Sequence, residues 1–369
     1  MKKVKFVDFS RQHASIRTAL VEAAKKVIES GNYIGGDEVK SFEKEMAQSI
    51  GVGEICGVAC ATSGLFSILK SCGIGPGDEV ITTVHTAIPT VEAISLTGAN
   101  VVFCDIAEGG FNIDLGQIES KITPRTKALI TVHLYGQPLD LDKAMEICRK
   151  HKLFLLEDCA QAQGAEYRGR KVGSYGDAAA FSFFPSKTLG GFGDGGAVTA
   201  KDKDLLRKIR MFSNHGRESK YFHEFEGINS RLDAIQAALL RICLRELDGW
   251  NAKRREAASW YDAGLDGISG LKRPSVLPGT VPVYHLYAIM VPDREALKNY
   301  LNENGIESAI HYPYSLNVLP AYERLKQGKG HFPRAEYACE HVLSLPLYPG
   351  ISRDEVDYVC ETVKKFFKK

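Results

Sequence analysis

No run of this 369-residue chain approaches the length needed to cross a bilayer, about 20 consecutive apolar residues, so no membrane partner is expected. Charge of neither sign is in excess. The 47 Lys and Arg against 45 Asp and Glu leave a formal net charge of +2, which gives no reason to expect nucleic acid. The nine cysteines are odd in number and hold no C-x-x-C pair, Cys56 and Cys60 being the nearest two. That usage fits a reducing cytoplasm rather than a disulfide framework. Among ten histidines there is no H-E-x-x-H; His133, His215 and His311 stand alone, so no metal is expected. The basic start Met1-Lys2-Lys3-Val4-Lys5-Phe6 is not followed by an apolar core of signal length. No internal repeat or low-complexity segment occurs. What remains is an ordinary globular composition, 44% hydrophobic and 25% charged, in a chain long enough for a large core and two domains.

Apolar spacing and turn residues predict helices over 16–30, 39–50, 65–72, 91–96 and 141–151. They predict strands over 79–84, 101–104, 128–133, 153–156, 178–183 and 197–200. Alternation of this kind, with Val- and Ile-rich strands, implies an α/β fold with a mostly parallel central sheet and helices on both faces. A long helix is expected from Arg231 to about Ala263, with Gly264 as its stop and Lys253-Arg254-Arg255 on a solvated face. The Pro- and Gly-containing stretch 274–282 then leads into a smaller α+β domain. That domain is expected to hold a strand over 285–291, helices over 294–304, 335–343 and 353–367, and the segment 310–314. The expected division is a large domain over 1–250 and a small C-terminal domain over 251–369.

Two residues break the pattern of buried strands. Leu153-Phe154-Leu155-Leu156 ends abruptly in Glu157-Asp158-Cys159-Ala160-Gln161, and open α/β sheets place ligands at the carboxyl ends of their strands. Lys187 follows Phe181-Ser182-Phe183-Phe184-Pro185-Ser186 and precedes a glycine-dense run, Gly190 to Gly196. A lysine held there can be desolvated, which favours the neutral amine that attacks carbonyls and forms Schiff bases. A carboxylate and a carbonyl-reactive lysine at one sheet edge point to pyridoxal phosphate (PLP), with Asp158 on the pyridine nitrogen and Gln161 near the ring oxygen. Ala61-Thr62-Ser63-Gly64, opening a helix, can either cup the phosphate or simply cap the helix. Ser182 is a second phosphate candidate. The glycine run lacks the G-x-G-x-x-G spacing and leads into a strand-like segment, so a dinucleotide loop is excluded.

With these residues in place the chain resembles, nearly end to end, the sugar aminotransferases of fold-type I PLP enzymes, the DegT–DnrJ–StrS group. The marks are Gly31-Asn32-Tyr33-Ile34-Gly35-Gly36, Gly73-Ile74-Gly75-Pro76-Gly77-Asp78-Glu79-Val80-Ile81, His133-Leu134-Tyr135-Gly136-Gln137-Pro138, the Glu157–Gln161 and Ser182–Lys187 segments, and Asn229-Ser230-Arg231-Leu232-Asp233. The resemblance implies that Lys187 and Asp158 are catalytic and that Thr62 and Ser182 hold the phosphate, with Ala61 still able to donate its N–H and Ser63 a donor from the reading of the turn itself. It implies that Asn229 reaches the cofactor phosphate of a neighbouring subunit in a homodimer with shared sites, and that Arg231, His311 and Tyr312 face the substrate. Where the family has an aromatic residue on the ring, Ala87 stands here, with His85 two residues before; either His85 stacks or the face is covered otherwise. The phosphate turn reads Ala61-Thr62 rather than Gly-Thr, Gln161-Ala162-Gln163 replaces Gln-Ala-His, and Leu316-Asn317 replaces Leu-His. The implied function is transfer of an amino group, with glutamate as donor, to a keto sugar on a nucleoside diphosphate. His311-Tyr312-Pro313 is similar to members acting at the 3-keto position. The alternatives are a sugar without a nucleotide handle, a PLP-binding regulatory or assembly protein without turnover, and a dehydratase-like relative, in which histidine would replace Lys187.

Overall fold

The computed structural model describes residues 3–368. Its centre is a seven-stranded sheet. In spatial order the strands are Ile55–Val58, Gly196–Ala200, Ala178–Ser182, Phe154–Asp158, Thr126–Val132, Glu79–Thr83 and Asn100–Cys104. Only Gly196–Ala200 runs antiparallel to its neighbours; every other adjacent pair is parallel. Strands covered on both faces read as near-continuous apolar runs. Ile81, Ala128, Leu129, Ile130, Leu156, Ala179 and Ala180 are accordingly fully buried.

Register decides what the sheet carries at its edge. Val132 pairs with Asp158 and Asp158 with Ala180, so the segments after these strands leave the same side. The strands Ile55–Val58 and Glu79–Thr83 share that direction. Five stretches therefore meet at one carboxyl edge: Cys60–Ser63, His85–Thr90, His133–Tyr135, Asp158–Gln161 and Ser182–Lys187. This is where open α/β sheets bind ligands.

Several expectations shift. The helix expected from residue 65 begins at Ala61, because Cys60 caps it: the Cys60 sulfur accepts from Ser63 N–H and the Ser63 hydroxyl from Cys60 N–H. The strand expected over 153–156 continues to Asp158, since pairing on both sides carries the polar pair into the sheet. Strand Ile55–Val58 and helix Lys203–Phe212 were not anticipated. The long helix spans Ala234–Gly264. Its Arg254 is not on a solvated face: it is 3% exposed, because helical spacing aligns it with buried Trp250, Ala257, Ala258 and Tyr261. Its guanidinium donates to the Tyr284 and Leu347 carbonyls at 3.4 and 3.1 Å.

In the C-terminal part, helix Pro333–His341 stops where Val342–Leu345 pairs antiparallel with Tyr287–Met290, so the expected helix over 335–343 ends early. Residues 310–314 form no strand; the nearest pairing is the Ala309–Ser344 bridge. The expected boundary at residue 250 falls inside the long helix, which packs through Leu247 and Trp250 on one core cluster and through Ala257 and Tyr261 on another.

Candidate active site

Lys187 lies in a tight turn after Ala178–Ser182, its N–H bonded to the Phe184 carbonyl at 2.8 Å. Gly190 makes the turn possible, since a Cβ there would stand 2.1 Å from the Pro185 carbonyl oxygen. Burial lowers the Lys187 amine to about 8, with the Asp158 charge opposing. A usable fraction of the nucleophilic neutral form is therefore present near neutral pH.

Asp158 is 5% exposed. Burial raises its carboxyl above the usual carboxylate range. Working against that are two donors, the Thr90 hydroxyl on Oδ2 at 2.7 Å and the Ala160 N–H on Oδ1 at 3.0 Å, and the positive charge of Lys187. Donors to a carboxylate favour its ionised form. Thr90, absent from the sequence-based candidates, is thus part of this site. Thr86 stands behind it, hydroxyl to hydroxyl at 3.2 Å.

The neighbouring Glu157 has a different task. Its two oxygens take the N–H groups of Gly173, Tyr175 and Gly176 and face His133 Nε2 at 3.0 Å. His133, Glu157 and Cys159 bring potential metal-ligand atoms within 4.8 Å of one another. The Glu157 carboxylate, however, is already spent on four partners. It fixes the strand that carries Asp158.

The helix Ala61–Ser71 points its start at the same edge, where its first N–H groups lack intrahelical partners. Gly196 lets this turn approach: a Cβ there would lie 2.9 Å from Ala61 N. Ala61 is buried and Thr62 half-buried. The Ser63 hydroxyl is occupied, donating to the Cys60 carbonyl and accepting from Ser230 at 2.8 Å. Ser63 therefore serves the cap, while Thr62 is the freer hydroxyl. Ser182 Oγ accepts from Phe184 N–H at 3.3 Å. Gln163, where the family pattern has histidine, ties the Lys187 turn to the Asp158 turn. Its amide donates to the Ser182 carbonyl at 2.5 Å and accepts from the Thr188 hydroxyl.

Gln161 Oε1 accepts from Tyr135 N–H at 2.7 Å, which fixes its amide so that Nε2 donates to the Tyr312 hydroxyl at 3.2 Å. His311 lies beside Tyr312, its Nδ1 3.0 Å from Ser344 Oγ, and burial lowers its ring to about 4. His85 is buried, its Nε2 3.0 Å from the Tyr135 hydroxyl and its Nδ1 3.2 Å from Cys339 Sγ, with Phe111 stacked on it. Ala87 is half-buried on the next turn. Arg231 donates to Asn214 Oδ1 at 3.1 Å, whereas Asn229 is exposed. A further unanticipated residue, His285, is buried near Lys187, whose charge adds to burial in holding its ring well below the ordinary histidine value.

This edge can be compared with known proteins. Residues 14–364 match the model of the DegT/DnrJ/EryC1/StrS aminotransferase family. The chain belongs to that family. It is 41% identical over 367 residues to a dTDP-3-amino-3,4,6-trideoxy-alpha-D-glucose transaminase of Streptomyces venezuelae, covering all of this chain and 97% of the relative. It is 38% identical over 367 residues to a pleiotropic regulatory protein of Geobacillus stearothermophilus, covering 99% of each. The solved structure of NtdA from Bacillus subtilis with bound cofactor PMP superposes with a TM-score of 0.94 at 29% identity, covering 100% of this chain and 86% of that one.

For an aminotransferase of this family the donor set fits PLP. A desolvated amine, a buried carboxylate without an ion-pair partner among the described residues, an oriented amide and a helix start are each chemically matched to one part of the cofactor.

Proposed function

We propose that this PLP-dependent aminotransferase takes an amino group from glutamate and places it on the C3 carbon of a keto sugar carried by a nucleoside diphosphate. The observation that carries the reading is that a desolvated Lys187 and the hydrogen-bonded Asp158 stand at one sheet edge, each within reach of the other's charge. When bound, PLP supplies the carbonyl that receives the amino group and a ring that accepts electrons. Lys187 Nζ would take a proton from the reacting carbon and return it. Asp158 would hold the ring nitrogen, Gln161 Nε2 the ring oxygen, and the Ala61–Thr62 turn with Ser182 the phosphate. His311, Tyr312 and Arg231 would face the sugar. The 3-amino sugar named for the S. venezuelae relative supports C3 and the nucleotide handle.

The G. stearothermophilus relative keeps a regulatory role in view. The lowered Lys187 pKa favours chemistry, since a cofactor held only for structure needs no reactive amine. Lys187 itself speaks against the dehydratase-like alternative. The working unit in this reading is a homodimer. Val21 at 61%, Ile28 at 58%, Tyr33 at 52%, Ile34 at 54% and Phe184 at 52% exposure offer apolar surface to a second copy, and Asn229 faces outward. Residues 1–250 would form the cofactor-holding unit and 251–369 the smaller one. All nine cysteines are free, which supports a reducing, cytoplasmic setting; no helix among the described residues is long and apolar enough to cross a membrane.

The test mixes the pyridoxamine form of the protein with 3-keto sugars, free and linked to dTDP or UDP. Return of the PLP absorption with a nucleotide-linked 3-keto sugar supports the reading. Return only with the free sugar removes the nucleotide handle, and no return with any sugar rejects the activity.

A further inference from the structure

Tyr135 is an outlier in its own backbone. Its φ of +57° lies in the left-handed region, uncommon for a bulky residue and a mark of a position held by its surroundings. Gly136 beside it has φ +84°, and a Cβ there would stand 2.7 Å from Val283, 2.9 Å from His285 N and 3.0 Å from the Gln161 carbonyl. Three segments are therefore closed around this point with no slack.

What the strained residue holds follows from its two ends. Its N–H fixes the Gln161 amide, and that amide meets the Tyr312 hydroxyl. Its hydroxyl donates to the His311 carbonyl. A carbonyl can only accept, so the phenol oxygen must receive its own hydrogen bond from His85 Nε2–H. Neutral His85 then has a bare Nδ1, and the Cys339 thiol must donate to it. The result is one directed chain, Cys339 to His85 to Tyr135 to His311. It runs from helix Pro333–His341 through the sheet edge to the 311–312 segment.

We propose that Tyr135 is the positioning residue for the acceptor sugar, setting through its two ends where the His311 ring and the Tyr312 phenol stand. This rests on the reading that His311 and Tyr312 face that sugar. Tyr135 touches neither sugar nor cofactor: its N–H steadies the Gln161 amide, which also serves the ring oxygen, while its hydroxyl, the group that Tyr135→Phe removes, acts on the sugar side alone.

The test uses the PLP-loaded protein, with dTDP-glucose and UDP-N-acetylglucosamine as probes in isothermal titration calorimetry and free dTDP and UDP as controls. For Tyr135→Phe the expected result is about a tenfold weaker affinity for the sugar nucleotide the wild type binds, the scale of one lost hydrogen bond that leaves buried groups unpaired. Affinity for the bare nucleotide, and the rate at which glutamate bleaches the PLP absorption, should stay within about twofold. Unchanged sugar-nucleotide affinity overturns the proposal. So does an equal loss for sugar nucleotide and bare nucleotide, which marks Tyr135 as a fold residue only.

If Tyr135→Phe does not fold, Cys339→Ser and Cys339→Val decide. Serine keeps the donor and should match the wild type, whereas valine should weaken sugar-nucleotide binding about threefold; two variants alike overturn the directed chain. If the wild type binds neither probe, the fault lies with the nucleotide handle, and a free 3-keto glucose carries the test. A raised KM with unchanged kcat for Tyr135→Phe then supports the proposal, and an unchanged KM overturns it.

Discussion

Replacing Thr90 with valine keeps the shape of the side chain and removes one hydrogen bond, from Oγ1 to Asp158 Oδ2 at 2.7 Å. The carboxylate is buried, so water cannot readily take the place of the hydroxyl. A hydrogen bond to a charged group contributes about 1.5–3 kcal/mol, which corresponds to roughly one to two pH units in the pKa of its acceptor. The sign follows from which form the donor prefers. Thr90 stabilises the ionised carboxylate, and burial already pushes Asp158 up, so losing the donor raises it further. The ionised form is the one present above the pKa, and the proposed chemistry uses it. The acid limb of kcat/KM for the amino donor should therefore move to higher pH by about one to two units in Thr90→Val. Thr90→Ser, which retains a hydroxyl, should bring it back. The Ala160 N–H stays in place, so the carboxylate keeps its orientation and the effect is electrostatic. An acid limb that does not move, or activity that falls equally at every pH, would show that Thr90 does not set the Asp158 charge.

Two further outcomes follow from the same structure. His85 is buried and pushed down from 6.5 to about 4. An unfolded chain takes up its proton first, so folding stability should fall as pH drops from about 6.5 to about 4. At roughly 1.4 kcal/mol per pH unit this one side chain accounts for about 3 kcal/mol. The difference between wild type and His85→Gln in denaturant unfolding at several pH values measures it, and parallel curves would contradict it. For the proposed dimer, Lys187→Ala and Asn229→Ala subunits, each impaired alone, should recover part of the activity when mixed and allowed to exchange. No recovery, or a monomer by sedimentation at working concentration, would exclude sites shared between subunits.

The residues legible in the sequence are those whose local pattern is odd. Asp158 interrupts an apolar strand, and Lys187 follows another in a turn before a glycine run; the sheet brings both to one edge. Thr90, Tyr135, Gln163 and Ser230 were not legible in these roles, because their partners are distant. Thr90 and Asp158 are 68 residues apart, Tyr135 and His311 176, and Ser230 and Ser63 167. Nothing in the composition of I-P-T or L-Y-G announces such pairings. Cys60 escaped notice as a helix cap because serine and threonine are the residues expected there. Arg254 misled because a run of three basic residues suggests a solvated face, while helical geometry turns the middle one inward. The strand Val342–Leu345 adjoins a helix without a breaker, and only its pairing with Tyr287–Met290 sets it apart.

Lys187 is proposed to carry PLP opposite Asp158. Borohydride reduction of the PLP-loaded protein, followed by peptide mass mapping, tests it directly. The expected result is a single reduced adduct on the peptide containing Lys187, lost in Lys187→Ala. An adduct on another lysine, or none with PLP supplied in excess, would contradict it.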